Sequence, residues 1–121
     1  MQREDFDKWV QAYIKAWESN ERANIEALFA EDASYLTQAF REPWAGRKTI
    51  VENWLGRDDS PGDWDFGYHW WAIEGDTGVL EGVTRYHSQD TTFTNIWVIV
   101  LDGEGRCREF REHWVHKLKE E

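Results

Sequence analysis

The sequence predicts an α+β domain, with three N-terminal helices packed on one face of a curved antiparallel sheet. Two observations predict it. Helical periodicity is confined to the first half of the chain, and beyond residue 63 one strand-like segment follows another, separated only by turn residues. The predicted order is ααβαββββ.

The first helix, Asp5 to Ser19, places Phe6, Val10, Tyr13 and Trp17 at spacings of four, three and four, one stripe of a helix surface. Asn20-Glu21 interrupts the pattern, and Ile25, Leu28 and Phe29 mark a second, short helix. Ala33 to Thr37 reads as a short strand, followed by a loop carrying the breakers Pro43 and Gly46. Ile50 and Trp54, four apart between Gly46 and Gly56, define the third helix, and the polar stretch Gly56 to Asp63 reads as a solvated loop. Four strands remain: Trp64 to Ile73, Val79 to Ser88, Thr91 to Leu101 and Arg106 to His116, with turns at Glu74-Gly75-Asp76-Thr77 and Asp102-Gly103-Glu104-Gly105.

Composition narrows the function. With 121 residues there is material for one hydrophobic core, so residues 1–121 are expected to form a single domain. Nine tryptophans and 16% aromatic residues give it ample bulk. A net charge of −10 is the wrong sign for nucleic acid or an anionic membrane surface. The longest apolar run, Ile96 to Leu101, is far short of the roughly 20 residues of a spanning helix. Cys107, the one cysteine, has no partner for a disulfide or a thiolate zinc site. No apolar leader opens the sequence, so the cytoplasm is the expected compartment. No phosphate-cradling glycine loop, dinucleotide fingerprint or nucleophile elbow is present, and no histidine pair shares a strand face, so neither a cofactor nor a metal is expected.

A family resemblance covers Phe6 to Trp114. Ile25-Glu26-Ala27-Leu28-Phe29-Ala30-Glu31-Asp32-Ala33, then Arg41-Glu42-Pro43 and Gly46, the turn at 102–105 and Arg111-Glu112-His113-Trp114 resemble the SnoaL-like, polyketide cyclase-like branch of the nuclear transport factor 2-like superfamily. The resemblance implies a cone-shaped, cystatin-like fold with a pocket inside the cone. The superfamily holds isomerases, cyclases, dehydratases, epoxide hydrolases and non-catalytic modules, so chemistry has to come from the pocket residues. Against the steroid-isomerase pattern of one tyrosine and two aspartates, Tyr13 matches the tyrosine. Thr37 and Trp97 occupy the two acid positions and cannot fill those roles.

The same register turns Glu81, Val83, Arg85 and His87 inward, with Phe93, Asn95, Trp97 and Ile99 on the next strand and Phe110, Glu112 and Trp114 on the last. The expected catalytic residues are Tyr13, Arg85, His87 and Glu112. Trp17, Tyr35, Trp54, Glu81, Asn95, Trp97, Phe110 and Trp114 are expected to line the ligand site.

Two hypotheses follow. In the first, the chain is a cofactor-free acid–base enzyme acting on a small apolar molecule. Glu112 or His87 is its base, Tyr13 and Arg85 stabilise developing negative charge, and Asn95 orients the substrate. In the second, it is a non-catalytic ligand-binding or dimerisation module with a cavity plugged by tryptophan and a Glu81–Arg85 pair. Under either, the outward row Thr94, Ile96, Val98 and Val100 predicts a homodimer through the sheet.

Overall fold

Helix α1 (Arg3–Ser19) begins at a capping box between Gln2 and Asp5 and ends at Asn20, whose left-handed backbone (φ 52°) lets the chain reverse. Its stripe is buried as the periodicity predicts: Phe6, Val10, Tyr13 and Trp17, joined by Trp9, all face the core. In this computed structural model, which describes residues 1–57 and 62–117, α1 is followed by α2 (Arg22–Glu26), β1 (Phe29–Leu36), β2 (Trp44–Ala45), α3 (Arg47–Arg57), β3 (Trp64–Glu74), β4 (Thr77–Tyr86), β5 (Thr91–Leu101) and β6 (Cys107–His116).

The strands form one six-stranded sheet in the order β2-β1-β6-β5-β4-β3. With the N-terminal helices, this is the mixed α+β architecture expected. Details differ for physical reasons. The second helix stops before Leu28 and Phe29, because the Leu28 carbonyl accepts the Cys107 amide (2.8 Å) and the Trp9 indole N–H (2.9 Å), which draws the chain into the sheet. Strand β1 therefore starts at Phe29 and not at Ala33. It runs parallel to β6, where an antiparallel sheet was expected. A helix and four strands lie between them, so no hairpin dictates their relative direction. The expected loop after β1 contains the two-residue edge strand β2. Of the polar stretch Gly56 to Asp63, residues 58–61 lie outside the described residues.

Helix α1 is fixed to the sheet by rings. Trp17 stacks on Trp64 at 3.6 Å, and Tyr13 lies against Trp97 (4.6 Å) and Phe110 (5.5 Å). Near the other end of the helix, Asp7 accepts hydrogen bonds from the Trp70 indole (2.7 Å) and the Tyr68 hydroxyl (3.0 Å). These contacts close one end of the space between helix and sheet.

The strand faces are set by register. Pairing of Gly82 with Asn95, Leu80 with Trp97 and Thr84 with Phe93 puts Gly78, Leu80, Gly82, Thr84 and Tyr86 on the core side of β4. The inward assignment of Glu81, Val83, Arg85 and His87 is thereby corrected: they face outward. The reason is steric. The β3 rings of Phe66 and Trp70 lie across the inner side of β4, leaving room at Gly82 and Gly78 for a hydrogen and not a side chain.

Candidate active site

A cavity of about 600 Å³ opens between α1, α3 and the inner face of the sheet. Its floor is made by Tyr13, Tyr35, Trp97 and Glu112, and its mouth by Tyr86, Phe93 and the half-exposed Trp114. Each strand contributes by alternation: Thr84 and Tyr86 from β4, Phe93, Asn95 and Trp97 from β5, Glu112 and Trp114 from β6. The expected plug of tryptophan is absent among the described residues, because the rings pack along the walls.

Glu112 is the acid on the floor. It sits opposite Trp97 in the β5–β6 ladder, and its Oε2 accepts the Trp97 indole N–H at 2.5 Å and the Asn95 amide at 3.3 Å. The Asn95 Oδ1 in turn accepts the Thr84 hydroxyl at 2.7 Å. That bond fixes which end of the amide faces Glu112, so Asn95, itself in the cavity lining, positions the carboxyl group. Burial raises the Glu112 pKa to about 7, against the smaller lowering effects of the two N–H donors and the more distant Arg57. Among the described residues no cation lies within ion-pair distance of it.

Beside it, the Tyr13 and Tyr35 hydroxyls share a hydrogen bond of 2.7 Å. Burial pushes the pKa of Tyr13 well above the ordinary phenol value, and each phenol feels the Glu112 charge as a further raising influence. Both therefore stay protonated at any physiological pH. One hydroxyl donates to the other, so the pair retains one O–H with which to approach a ligand.

The remaining expected site residues divide. Trp17, Trp54, Trp97 and Trp114 line the cavity, whereas Phe110 is fully buried behind it between Tyr13, Tyr35 and Trp97. Glu81, Arg85 and His87 are not brought to the site. On the outer face Glu81 lies 3.5 Å from His69, Arg85 pairs with Asp90 at 2.7 Å, and His87 lies 2.9 Å from Asp65. No Glu81–Arg85 pair exists. Sequence reasoning missed Thr84 and Tyr86, whose alternation with Leu80 carried the signal. It also missed Arg57 and Trp44, which only the approach of α3 and β2 brings to the rim. Among the described residues no group of three His, Cys, Asp or Glu side chains converges as a metal site would.

The sequence profile of the SnoaL-like domain family matches residues 10–120, nearly the whole chain. The protein belongs to the SnoaL-like domain family. Solved structures with the same nuclear transport factor 2-like, cystatin-like fold support the assignment. A candidate ketosteroid isomerase from Kribbella flavida DSM 17836 superposes with a TM-score of 0.72 at 17% identity, over 98% of this chain and 83% of that one. An LEH-like epoxide hydrolase from M. tuberculosis gives 0.61 at 15% identity, over 89% and 80%. A cystatin-like-fold protein from Silicibacter pomeroyi DSS-3 gives 0.65 at 18% identity, over 88% and 73%. No curated protein matches the chain significantly. At these identities the solved structures speak for the SnoaL-like fold and not for a reaction. Among the described residues no helix of this SnoaL-like domain is long and apolar enough to cross a membrane.

Proposed function

We propose that this SnoaL-like domain is a cofactor-free acid–base enzyme in which Glu112 moves a proton on a small apolar, cyclic substrate held in the aromatic pocket. The observation that carries this reading is Glu112 itself: a carboxyl group at the floor of an open cavity, fixed by two N–H donors, with a pKa near 7. A base is most effective when its pKa lies near the working pH, since it is then both available and strong enough to take a proton. The free hydroxyl of the Tyr13–Tyr35 pair stabilises the oxyanion that forms as the proton leaves. Glu112 then returns the proton at a second position, which is isomerisation, or to a departing hydroxyl, which leaves as water in a dehydration; where Glu112 takes the proton from a water molecule attacking an epoxide carbon, it returns that proton to the opening oxygen and a diol results. Isomerase and epoxide hydrolase, the activities in the names of two structural neighbours, fall within this class.

The test is solvent deuterium exchange into 2-tetralone, a cyclic ketone with acidic C–H bonds, followed by NMR. The wild-type protein is expected to accelerate exchange, and Glu112→Gln to lose about 100- to 10,000-fold of that acceleration. Binding of 2-tetralone, read by tryptophan fluorescence, without any acceleration would leave the non-catalytic ligand-binding module as the better reading.

We propose also that the outer sheet face joins two copies of the chain. Of the β5 row, Thr94, Ile96 and Val98 are part-exposed while Val100 is only 7% exposed, and the row is continued by Val83 (49% exposed) and Val115 (70% exposed), pairing neighbours of Thr94 on β4 and β6. Charges around it come in both signs, Arg85 beside Asp90 and Arg111 beside Glu109, so a two-fold related copy meets no single-sign field. Sedimentation velocity at about 10 μM is expected to give twice the 14.4 kDa chain mass, and the double variant Val83→Asp, Val115→Asp to give the chain mass itself. A wild-type protein sedimenting at 14.4 kDa would remove the proposal.

A further inference from the structure

Beside the main cavity lies a second recess of about 490 Å³, lined by Thr37, Gln38, Arg41, Glu42, Trp44 and Arg57. Four of these, Thr37, Gln38, Trp44 and Arg57, also line the main cavity, so the two spaces share a wall and a rim. We propose that this recess binds the carboxylate of an aromatic acid whose ring system occupies the main cavity, with Arg57 and Arg41 as the specificity-determining residues. The inference rests on the reading of the main cavity as a small-molecule site and names the class of molecule it takes.

Four observations carry it. First, Arg57 is held in place by a ring: its guanidinium carbon lies 4.9 Å from the centroid of Trp44, which itself stacks on Tyr35 at 5.0 Å. Stacking through the face of a guanidinium leaves its in-plane N–H donors free, the arrangement that accepts a carboxylate edge-on. Second, among the described residues neither Arg57 nor Arg41 has an ion-pair partner, although the chain carries 24 acidic residues. Third, Thr37, a residue only 8% exposed, lines both cavities, which places its hydroxyl where the two spaces meet. Fourth, among the described residues the recess holds two guanidinium groups against the one carboxylate of Glu42, an excess of one positive charge in a chain of net charge −10.

That single excess charge matches a monoanion, so a carboxylate fits better than a doubly charged phosphate. The neighbouring aromatic walls fix what the carboxylate is attached to. Arg57 already acts on the floor of the main cavity, where its charge lowers the pKa values of Tyr13, Tyr35 and Glu112. A substrate carboxylate docked at Arg57 stays clear of Glu112, and the ring is oriented with its carbon acid toward the floor.

The experiment compares 2-naphthoate with its neutral analogue 2-naphthamide by isothermal titration calorimetry at pH 8, on the full chain. The net charge alone would repel the anion, so the general electrostatics and the recess predict opposite signs. The expected result is binding of 2-naphthoate at least tenfold tighter than of 2-naphthamide. Most of that preference should be lost in Arg57→Ala and in Arg41→Ala, with 2-naphthamide affinity retained in Arg41→Ala, whose side chain lines the recess and not the main cavity, and Arg57→Lys should keep only part of the preference. Equal or tighter binding of the amide would overturn the carboxylate recess and leave the main cavity's role standing, since the amide would then be bound there. A preference that survives both alanine variants would also overturn it, and failure of both compounds to bind would overturn the small-molecule reading together with it.

Discussion

Glu112→Gln is expected to stabilise the protein at pH 8 by about 3–4 kcal/mol and to leave it near parity with the wild type at pH 4. The folded-state pKa of Glu112 is about 7, above the ordinary value of 4.5. A group whose pKa is raised by folding contributes its stability below the unfolded value and loses it as pH rises through the folded one. For Glu112 the loss falls between pH 4.5 and 7, and 2.5 pKa units at about 1.4 kcal/mol each give the figure above. The glutamine oxygen can accept both N–H donors that Glu112 Oε2 accepts, so the variant keeps the shape while avoiding the cost of a buried negative charge. Urea denaturation of both proteins at pH 4 and pH 8 measures this. A variant less stable than the wild type at pH 8 would mean that the carboxylate is a structural ion, and would remove it from the chemistry. A protein that is stabilised by the substitution and loses activity through it has a strained functional group, the usual trade between stability and activity.

Much of this site can be read in the sequence, and the part that cannot has a definite cause. Tyr13 and Trp17 follow from helical periodicity, and Asn95, Trp97, Glu112 and Trp114 from strand alternation once the family register sets which parity faces inward, since β5 carries apolar residues on both. On β4 the alternation separates Leu80, Thr84 and Tyr86 from Glu81, Arg85 and His87, but which set faces the core is a separate question. Family register answered it in favour of the charges. Packing answers it the other way, since the aromatic side chains of β3 fill the space inside β4 and leave the set on the outer face, Arg85 paired with Asp90, Glu81 near His69 and His87 near Asp65. The information lay in Gly78 and Gly82, two glycines at the parity of Leu80 in a segment otherwise rich in side chains. Arg57 and Trp44 are of another kind. They reach the pocket because α3 packs on β1 and β2, a tertiary fact that no local pattern contains.

Gly82→Ala is the other substitution with a large expected effect. A Cβ at position 82 would lie 2.5 Å from the Phe66 ring and 3.2 Å from the Gly67 carbonyl oxygen. Real Cβ atoms do not approach so closely, and the ring cannot simply retreat: Phe66 stacks on Trp97 at 4.7 Å, and Trp97 carries the hydrogen bond to Glu112. Overpacking at such a site costs about 1–3 kcal/mol, and the rigid neighbours place this case at the upper end, a fall of roughly 10–20 °C in melting temperature. The displacement should also reach the floor of the pocket, moving the Glu112 titration as read from Trp97 fluorescence. Gly67 supplies the control. It pairs with Val83 on the outer face and a Cβ there would meet no atom within 4 Å, so Gly67→Ala should change stability by less than about 0.5 kcal/mol. Adding Phe66→Leu to Gly82→Ala should recover part of the loss, because the smaller side chain vacates the space that the new methyl group needs. Equal effects of the two glycine substitutions would show that the Phe66 ring does not lie over Gly82, and with that the inward parity of β4 would fail.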